Sequence, residues 1–344
     1  MKIIDLRSDT FTKPTKAMLE AIMNAEVGDD VFEEDPTVNE LQDMSSMITG
    51  MEAALFVPTG VMGNQLAIKC HTHPGDEVIV ESESHILNYE TAAPSVISNV
   101  QLLPVKGKMG IMNVEDIAKY VRTSEYYFPV TRLICIENTH NREGGVIQPI
   151  KKIKETSEFA KLNNIKLHLD GARIFNAIAE TGISLKEYSD HFDSISFCFS
   201  KGLGSPVGSI ICGNKNFIGL ARKWRKILGG GMRQAGILAA AALYALKNNV
   251  NRLKEDNDNA KYFAGEISDI KGIELDLKSV QTNIVVFGCS KFSKAEFMLK
   301  AKEKGLVISS GSYEKMRAVF YMGVDRTDAD AAVKIIKQIL VDNQ

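Results

Sequence analysis

The chain has 344 residues, of which 44% are hydrophobic and 24% charged, a size and composition that fit one large folded unit with a smaller appendage and exclude a disordered or collagenous chain. Its 41 Lys and Arg nearly balance 43 Asp and Glu, for a formal net charge of -2, so no global field draws it to nucleic acid or to an anionic membrane. Any anionic ligand must be caught by a local site.

The first nine residues, Met1 to Asp9, carry charges and lack the apolar run and cleavage site of an export signal. No uncharged apolar stretch approaches the ~20 residues of a membrane span, and the cytoplasm is the expected compartment. The five cysteines, odd in number and without a Cys-x-x-Cys pair, speak against a disulfide framework or a zinc ribbon. Asp35-Pro36 ahead of Val38, Leu41, Met44 and Ile48 predicts a capped helix closed by Gly50. A strand follows at Ala53 to Val57, running into the turn Pro58-Thr59-Gly60. Further buried strands are predicted at Glu77 to Val80, Arg132 to Ile136, Lys166 to Leu169, Ser194 to Phe199, Val207 to Cys212 and Asn283 to Phe287. Helices are predicted at Val114 to Val121, Ile150 to Leu162, around Phe217 to Ile227, and at Gln234 to Leu246. This alternation is the pattern of an α/β fold with a mostly parallel sheet. A polar stretch, Lys247 to Asn259, precedes a region with fewer strands and with amphipathic helices near Lys294 to Lys304 and Thr327 to Ile339. The expected division is a large domain over 1–250 and a smaller C-terminal α/β domain over 251–344.

Three segments carry chemistry. Ser196-Phe197-Cys198-Phe199-Ser200-Lys201-Gly202-Leu203-Gly204 puts a lysine at the end of an apolar strand, where partial desolvation suits it to form an imine; a solvated turn lysine is the alternative. A dinucleotide loop would need a helix after these glycines, whereas Val207 to Cys212 is strand-like. In Lys166 to Arg173, an apolar strand ends at Asp170, which ligand placement in open α/β sheets aims at the same crevice as Lys201. A carboxylate there can pair with a protonated pyridine nitrogen and keep pyridoxal phosphate a strong electron sink, with the lysine as its tether; a helix N-cap is the other reading of Asp170. Thr59 and Gly60 open an apolar helix after a strand, which suits phosphate binding. His85, just past another strand, can stack on the pyridine ring and exchange protons near neutrality, or be a structural histidine. His71-Thr72-His73 is a weak metal-pair signal without a carboxylate-rich helix, and no metal is expected.

With these segments in view, the chain resembles the low-specificity L-threonine aldolases, fold-type I pyridoxal-phosphate enzymes. The resemblance runs from Asp5 to about Asp325 and rests on Asp5 to Thr10, Val27 to Phe32, Glu137 to Asn141, His168 to Arg173, Ser200 to Gly204 and Gly229 to Gln234. It implies that Lys201 holds the cofactor as a Schiff base, Asp170 faces the pyridine nitrogen, His85 stacks on the ring, and Thr59 and Gly60 hold the phosphate. It further implies that Ser8, Arg173 and Arg317 grip the substrate carboxylate, and that Arg233 lines the cofactor pocket. The implied partner is a small amino-acid substrate, and the implied assembly a homodimer or homotetramer.

The reaction implied is cleavage of a β-hydroxy-α-amino acid to glycine and an aldehyde. Many members of the family carry a histidine in the loop before the strand equivalent to Arg132 to Ile136, thought to assist at the β-hydroxyl. Here that loop reads Tyr126-Tyr127-Phe128-Pro129, and His85, directly or through a water, is expected to take the role. An aminotransferase or β-eliminating lyase would share Lys201 and Asp170 and differ in product. An inert partner protein with the same fold would lack the lysine adduct.

Overall fold

Apolar runs too short for helices pair into sheets, and the longer amphipathic segments cover them. Residues 2–341 are described in a computed structural model. In chain order the strands are β1 (Ile4–Asp5), β2 (Ala53–Val57), β3 (Glu77–Glu81), β4 (Gln101–Val105), β5 (Thr131–Glu137), β6 (Lys166–Asp170), β7 (Ser194–Cys198), β8 (Ser209–Gly213), β9 (Ile273–Glu274), β10 (Ile284–Cys289), β11 (Leu306–Val307), β12 (Ser309–Ser310) and β13 (Met316–Val319).

The large sheet has the order β2-β8-β7-β6-β5-β3-β4. All its neighbours run parallel except β8, which is antiparallel to both β2 and β7. Because β8 reverses direction between them, β2 points the same way as β7 and the rest. The predicted mostly parallel α/β fold is therefore present, and β3, β7 and β8 are buried along their whole length as covering on both faces requires.

The two largest apolar clusters among the described residues lie behind this arrangement. One surrounds the large sheet with Phe56, Ile134, Leu169, Phe197 and Phe199 among its members. The other joins Ile4 and Leu6 to Phe263, Phe287, Phe297, Met316, Phe320 and Ile336, around a four-stranded antiparallel sheet of order β12-β13-β10-β9. The start of the chain reaches this second core because β1 pairs in parallel with β11.

Three elements of the fold lie outside the pattern read from the sequence. The polar stretch Lys247 to Asn259 is mostly helical, in Gly236–Asn248 and Leu253–Ser268; the second helix buries Asp256, Asn257 and Asn259 beside Leu253 and Ala260, so its inward face does not look apolar. Strand β4 went unread because Pro104 interrupts it, a residue the sheet admits there since β4 is an edge that pairs only with β3. Strand β13, Met316-Arg317-Ala318-Val319, has no β-rich signature, yet it pairs with β10 on one side and β12 on the other.

The turn between β7 and β8 carries Lys201 and ends at Gly208, whose φ is +103° and whose added Cβ would lie 2.6 Å from the buried Phe56 ring. Its amide donates to Pro58 O at 3.1 Å, and its carbonyl accepts from Phe199 N at 3.0 Å. Gly208→Ala combines a left-handed backbone with a ring clash and is expected to lower unfolding free energy by about 2 kcal/mol or more in urea denaturation.

Candidate active site

Five strands of the large sheet end at one edge, and each delivers a polar group there. After β2, Thr59 caps the helix Gly60–His71, its hydroxyl accepting from Met62 N at 3.1 Å. A Cβ on Gly60 would lie 2.7 Å from Cys198 Sγ, so glycine lets this helix start close against β7. The first-turn amides and the Thr59 hydroxyl offer donors of the kind that can hold an anion.

Asp170 ends β6 and is 3% exposed. Its carboxylate accepts from Ala172 N at 3.1 Å and from Asn64 Nδ2 at 2.8 Å. The helix that follows begins at Ile174 with Arg173 in the capping position, so Asp170 is not its N-cap. Among the described residues, no Lys or Arg forms an ion pair with Asp170, a costly condition for a buried carboxylate unless a cation joins it. Lys201 stands three residues beyond β7, in a turn closed by Gly204 N to Lys201 O at 2.8 Å and Asn249 Nδ2 to Leu203 O at 2.7 Å.

His85 follows β3 and opens the short helix His85–Asn88. Its amide donates to Glu137 Oε2 at 2.7 Å, and its Nδ1 lies 2.9 Å from Glu90 Oε1. Burial opposes a charge on the ring, but the Glu90 hydrogen bond and the Asp170, Glu137 and Glu90 charges outweigh it and hold the imidazole above its ordinary pKa.

Two cavities meet at these groups. One, of about 160 Å³, is lined by Thr59, Gly60, Asn64, Asp170 and Ser200; the other, of about 280 Å³, by Ser8, Tyr89, Ser309, Ser312 and Arg317. His85, Asn141, Arg173 and Lys201 face both. Arg173 is already engaged: its Nε and Nη2 hold both oxygens of buried Asp9 at 2.6 and 2.7 Å. Arg317 forms no ion pair with a carboxylate among the described residues. Its Nη2 donates to Asn141 Oδ1 at 2.9 Å and its Nη1 to Arg7 O at 3.2 Å, while its buried Nε has no partner among the described residues. Burial, then the Arg173 charge, push its pKa down to about 10, which an incoming anion would reverse. Ser8 caps the turn Asp9–Phe11 and lines the second cavity.

Not every candidate converges. Arg233 is outside both cavities, 56% exposed and paired with Asp29 at 2.8 Å. The segments around Val27 to Phe32 and Gly229 to Gln234 pack on each other instead, through Asp30 N to Arg233 O at 3.0 Å. Tyr126, Tyr127 and Phe128 are exposed and line neither cavity. His71 bonds Ser194 Oγ at 2.8 Å and stacks on Phe217, whereas His73 pairs with Asp76 on an exposed loop. Sequence reasoning missed Asn64, Glu90 and Asp9 as members of the site. Glu137 and Asn141 stood within a motif that carried the resemblance, without a role.

The beta-eliminating lyase family profile matches residues 5–290. The chain belongs to the beta-eliminating lyase family. Two similar relatives of this lyase are the low-specificity L-threonine aldolase of Escherichia coli K12, 42% identical over 94% of this chain and 95% of that protein, and low-specificity L-threonine aldolase 1 of Arabidopsis thaliana, 39% identical over 100% and 98%. The Leishmania major threonine aldolase structure superposes on the lyase with a TM-score of 0.84, covering 98% of this chain and 99% of that one. At 17% identity, that likeness speaks to the fold.

Asp9, held down to about pKa 2 against its burial by Arg173, stabilises the fold fully above the ordinary carboxylate range and loses that contribution as pH falls through about 2. Asp9→Asn strands a buried guanidinium and is expected to cost about 3–5 kcal/mol near neutrality. In urea denaturation from pH 6 to pH 2, the variant should lack the part of the acid destabilisation that the wild type shows below about pH 4.

Proposed function

We propose that this lyase is a pyridoxal-phosphate-dependent threonine aldolase, cleaving L-threonine, L-allo-threonine and related β-hydroxy-α-amino acids to glycine and an aldehyde. The observation that carries the reading is the pairing of two incomplete groups in adjoining cavities. Among the described residues, Asp170 is a buried carboxylate without a Lys or Arg partner, and Arg317 a half-buried guanidinium, its Nε buried, without a carboxylate. The first fits a protonated pyridine nitrogen and the second an amino-acid carboxylate, and Lys201 faces both cavities.

The residues fit the cofactor in kind. Lys201 would hold it as a Schiff base, Thr59 and Gly60 its phosphate, Asp170 its ring nitrogen, and His85 a face of its ring. When bound, pyridoxal phosphate supplies an electron sink for the bond that breaks. The chain supplies the rest. Arg317, with Ser8 and Arg173, grips the substrate carboxylate, and that grip determines which bond at Cα is presented for cleavage. The ring nitrogen of His85 that does not face Glu90 takes the β-hydroxyl proton, directly or through a water, as the hydroxyl oxygen closes to the aldehyde carbonyl.

The reading extends to the whole molecule. Two separate cores support a division into 1–250 and 251–344, with the first strand reaching across to the second core. Five free cysteines support a cytoplasmic enzyme. The exposure of Phe32, Ile227 and Arg233 supports a homodimer or homotetramer whose sites lie between copies, with Arg233 serving the cofactor there.

Incubated with either threonine isomer, the purified enzyme is expected to release glycine and acetaldehyde in equal amounts, measured by chromatography and a coupled aldehyde assay. A keto acid or ammonia in their place would identify an aminotransferase or β-eliminating lyase. Lys201→Ala should lose both turnover and the visible absorption of the bound cofactor; retention of both would end the proposal. Arg317→Gln is expected to raise KM for threonine about 10- to 100-fold in steady-state assays, the range for a lost charged hydrogen bond.

A further inference from the structure

We propose that Glu90 is a positioning residue of this reaction: it fixes His85 with Nδ1–H donated to its carboxylate and Nε2 left for the cavity, and it balances the positive charge that the ring acquires with the hydroxyl proton. The inference rests on the aldolase reading, and nothing in the sequence pattern marks Glu90.

Glu90 is 2% exposed, and its side chain is fully buried. Its Oε1 receives His85 Nδ1 at 2.9 Å and Asn64 Nδ2 at 2.8 Å, and its Oε2 receives Gln65 Nε2 at 2.6 Å. No Lys or Arg pairs with it among the described residues, so His85 is the one neighbour able to bring it a positive charge. A carboxylate in that position accepts and does not donate, which selects the Nδ1–H tautomer of a neutral His85. Backbone conformation points the same way. The two residues after Glu90, Thr91 and Ala92, both have left-handed φ, at 54° and 55°, a costly pair of conformations for non-glycine residues that lets the chain turn away directly after the carboxylate is buried.

The amide of Asn64 connects this arrangement to the cofactor end of the site. Its Nδ2 donates to Glu90 and also to Asp170 Oδ2, at 2.8 Å in each case. Its Oδ1 is fixed by Ser196 Oγ at 3.0 Å and His168 Nε2 at 3.3 Å, so the NH₂ group cannot turn away from the two carboxylates. His168 adds no competing charge, since burial, against the pull of Asp170, holds its pKa down to about 4. The charged groups that face His85 are Glu90, Asp170 and Glu137, all of which favour imidazolium; Lys201, Arg173, Arg142 and Arg317 share its cavities.

The proton step balances within these groups. The substrate O–H bond breaks and its proton bonds to Nε2; the O–H electron pair becomes the second bond of the aldehyde carbonyl; the Cα–Cβ pair goes to Cα, where the cofactor, when bound, would supply the electron sink. Glu90 keeps its own charge throughout and neutralises the imidazolium. His85 must be deprotonated to act, so activity rises as pH passes its pKa from below.

Glu90→Gln tests this in the holoenzyme labelled with ¹⁵N-histidine, with His85 assigned by its loss in His85→Asn. The His85 titration midpoint is expected to fall by about one pH unit or more, with the acid limb of kcat moving down alongside it. kcat above that limb should drop about 10- to 100-fold, and KM should change less than about 3-fold, as expected for a weakened base and an intact carboxylate grip. Gln65→Leu removes a donor from the same carboxylate while leaving its charge, and is expected to move the His85 midpoint up, opposite to Glu90→Gln; it also serves if Glu90→Gln does not fold. Unmoved midpoints in both variants, or a Glu90→Gln loss of rate with an unchanged acid limb, would overturn the proposal. A wild-type enzyme that releases no acetaldehyde overturns the aldolase reading instead, and the two failures are distinguishable because the NMR midpoint does not depend on turnover.

Discussion

The common direction of the strands in the large sheet is the constraint from which the site follows. A parallel strand ends with its last residues beyond the covering helices, and strands aligned in one direction gather those ends at one edge. Here β2, β3, β5, β6 and β7 deliver Thr59, His85, Asn141, Asp170 and Lys201 to that edge. The antiparallel β8 keeps the turn carrying Lys201 at this edge, because it starts where β7 ends, and Gly208 N donating to Pro58 O at 3.1 Å holds that turn beside the segment leading to Gly60. The site is thus a product of topology before it is a product of side-chain chemistry.

Charge then organises what topology has assembled. Three buried carboxylates, Asp170, Glu90 and Glu137, act on His85, and Asp170 and Glu137 share a cavity with Lys201, while Arg173 and Arg317 line the adjoining cavity. Only one of the two arginines is neutralised internally, by Asp9. That pair also joins the segment that begins in the second core to the turn after β6, so the cavity wall is made of both cores and its geometry depends on a buried contact between residues 164 positions apart. Asp170 and Arg317, neither in an ion pair among the described residues, line the two adjoining cavities.

Much of this was legible from local pattern. Lys201, Asp170 and Thr59 could be found because each follows an apolar strand and precedes a glycine turn or helix start, a one-dimensional signature of a strand end. Ser8 and Arg317 have no such signature and came from resemblance alone; Arg317 even lies in a strand that the sequence did not reveal. Glu90 and Asn64 were out of reach because their importance is a matter of contacts 26 and 106 positions apart. The helix Leu253–Ser268 was hidden for a related reason: its buried face carries Asp256, Asn257 and Asn259, and hydropathy cannot distinguish a polar side chain satisfied inside from one dissolved outside.

Asn141 offers its amide oxygen to both guanidiniums, at 2.9 Å from Arg317 and 3.4 Å from Arg173. A neutral dipole compensates two cations less well than an anion does. A ligand bearing a full negative charge gains by displacing that contact, whereas an amino alcohol or amino amide of the same shape exchanges one dipole for another. On the proposed function, this contact would favour substrates with a free carboxylate over amino alcohols and amino amides before any covalent step.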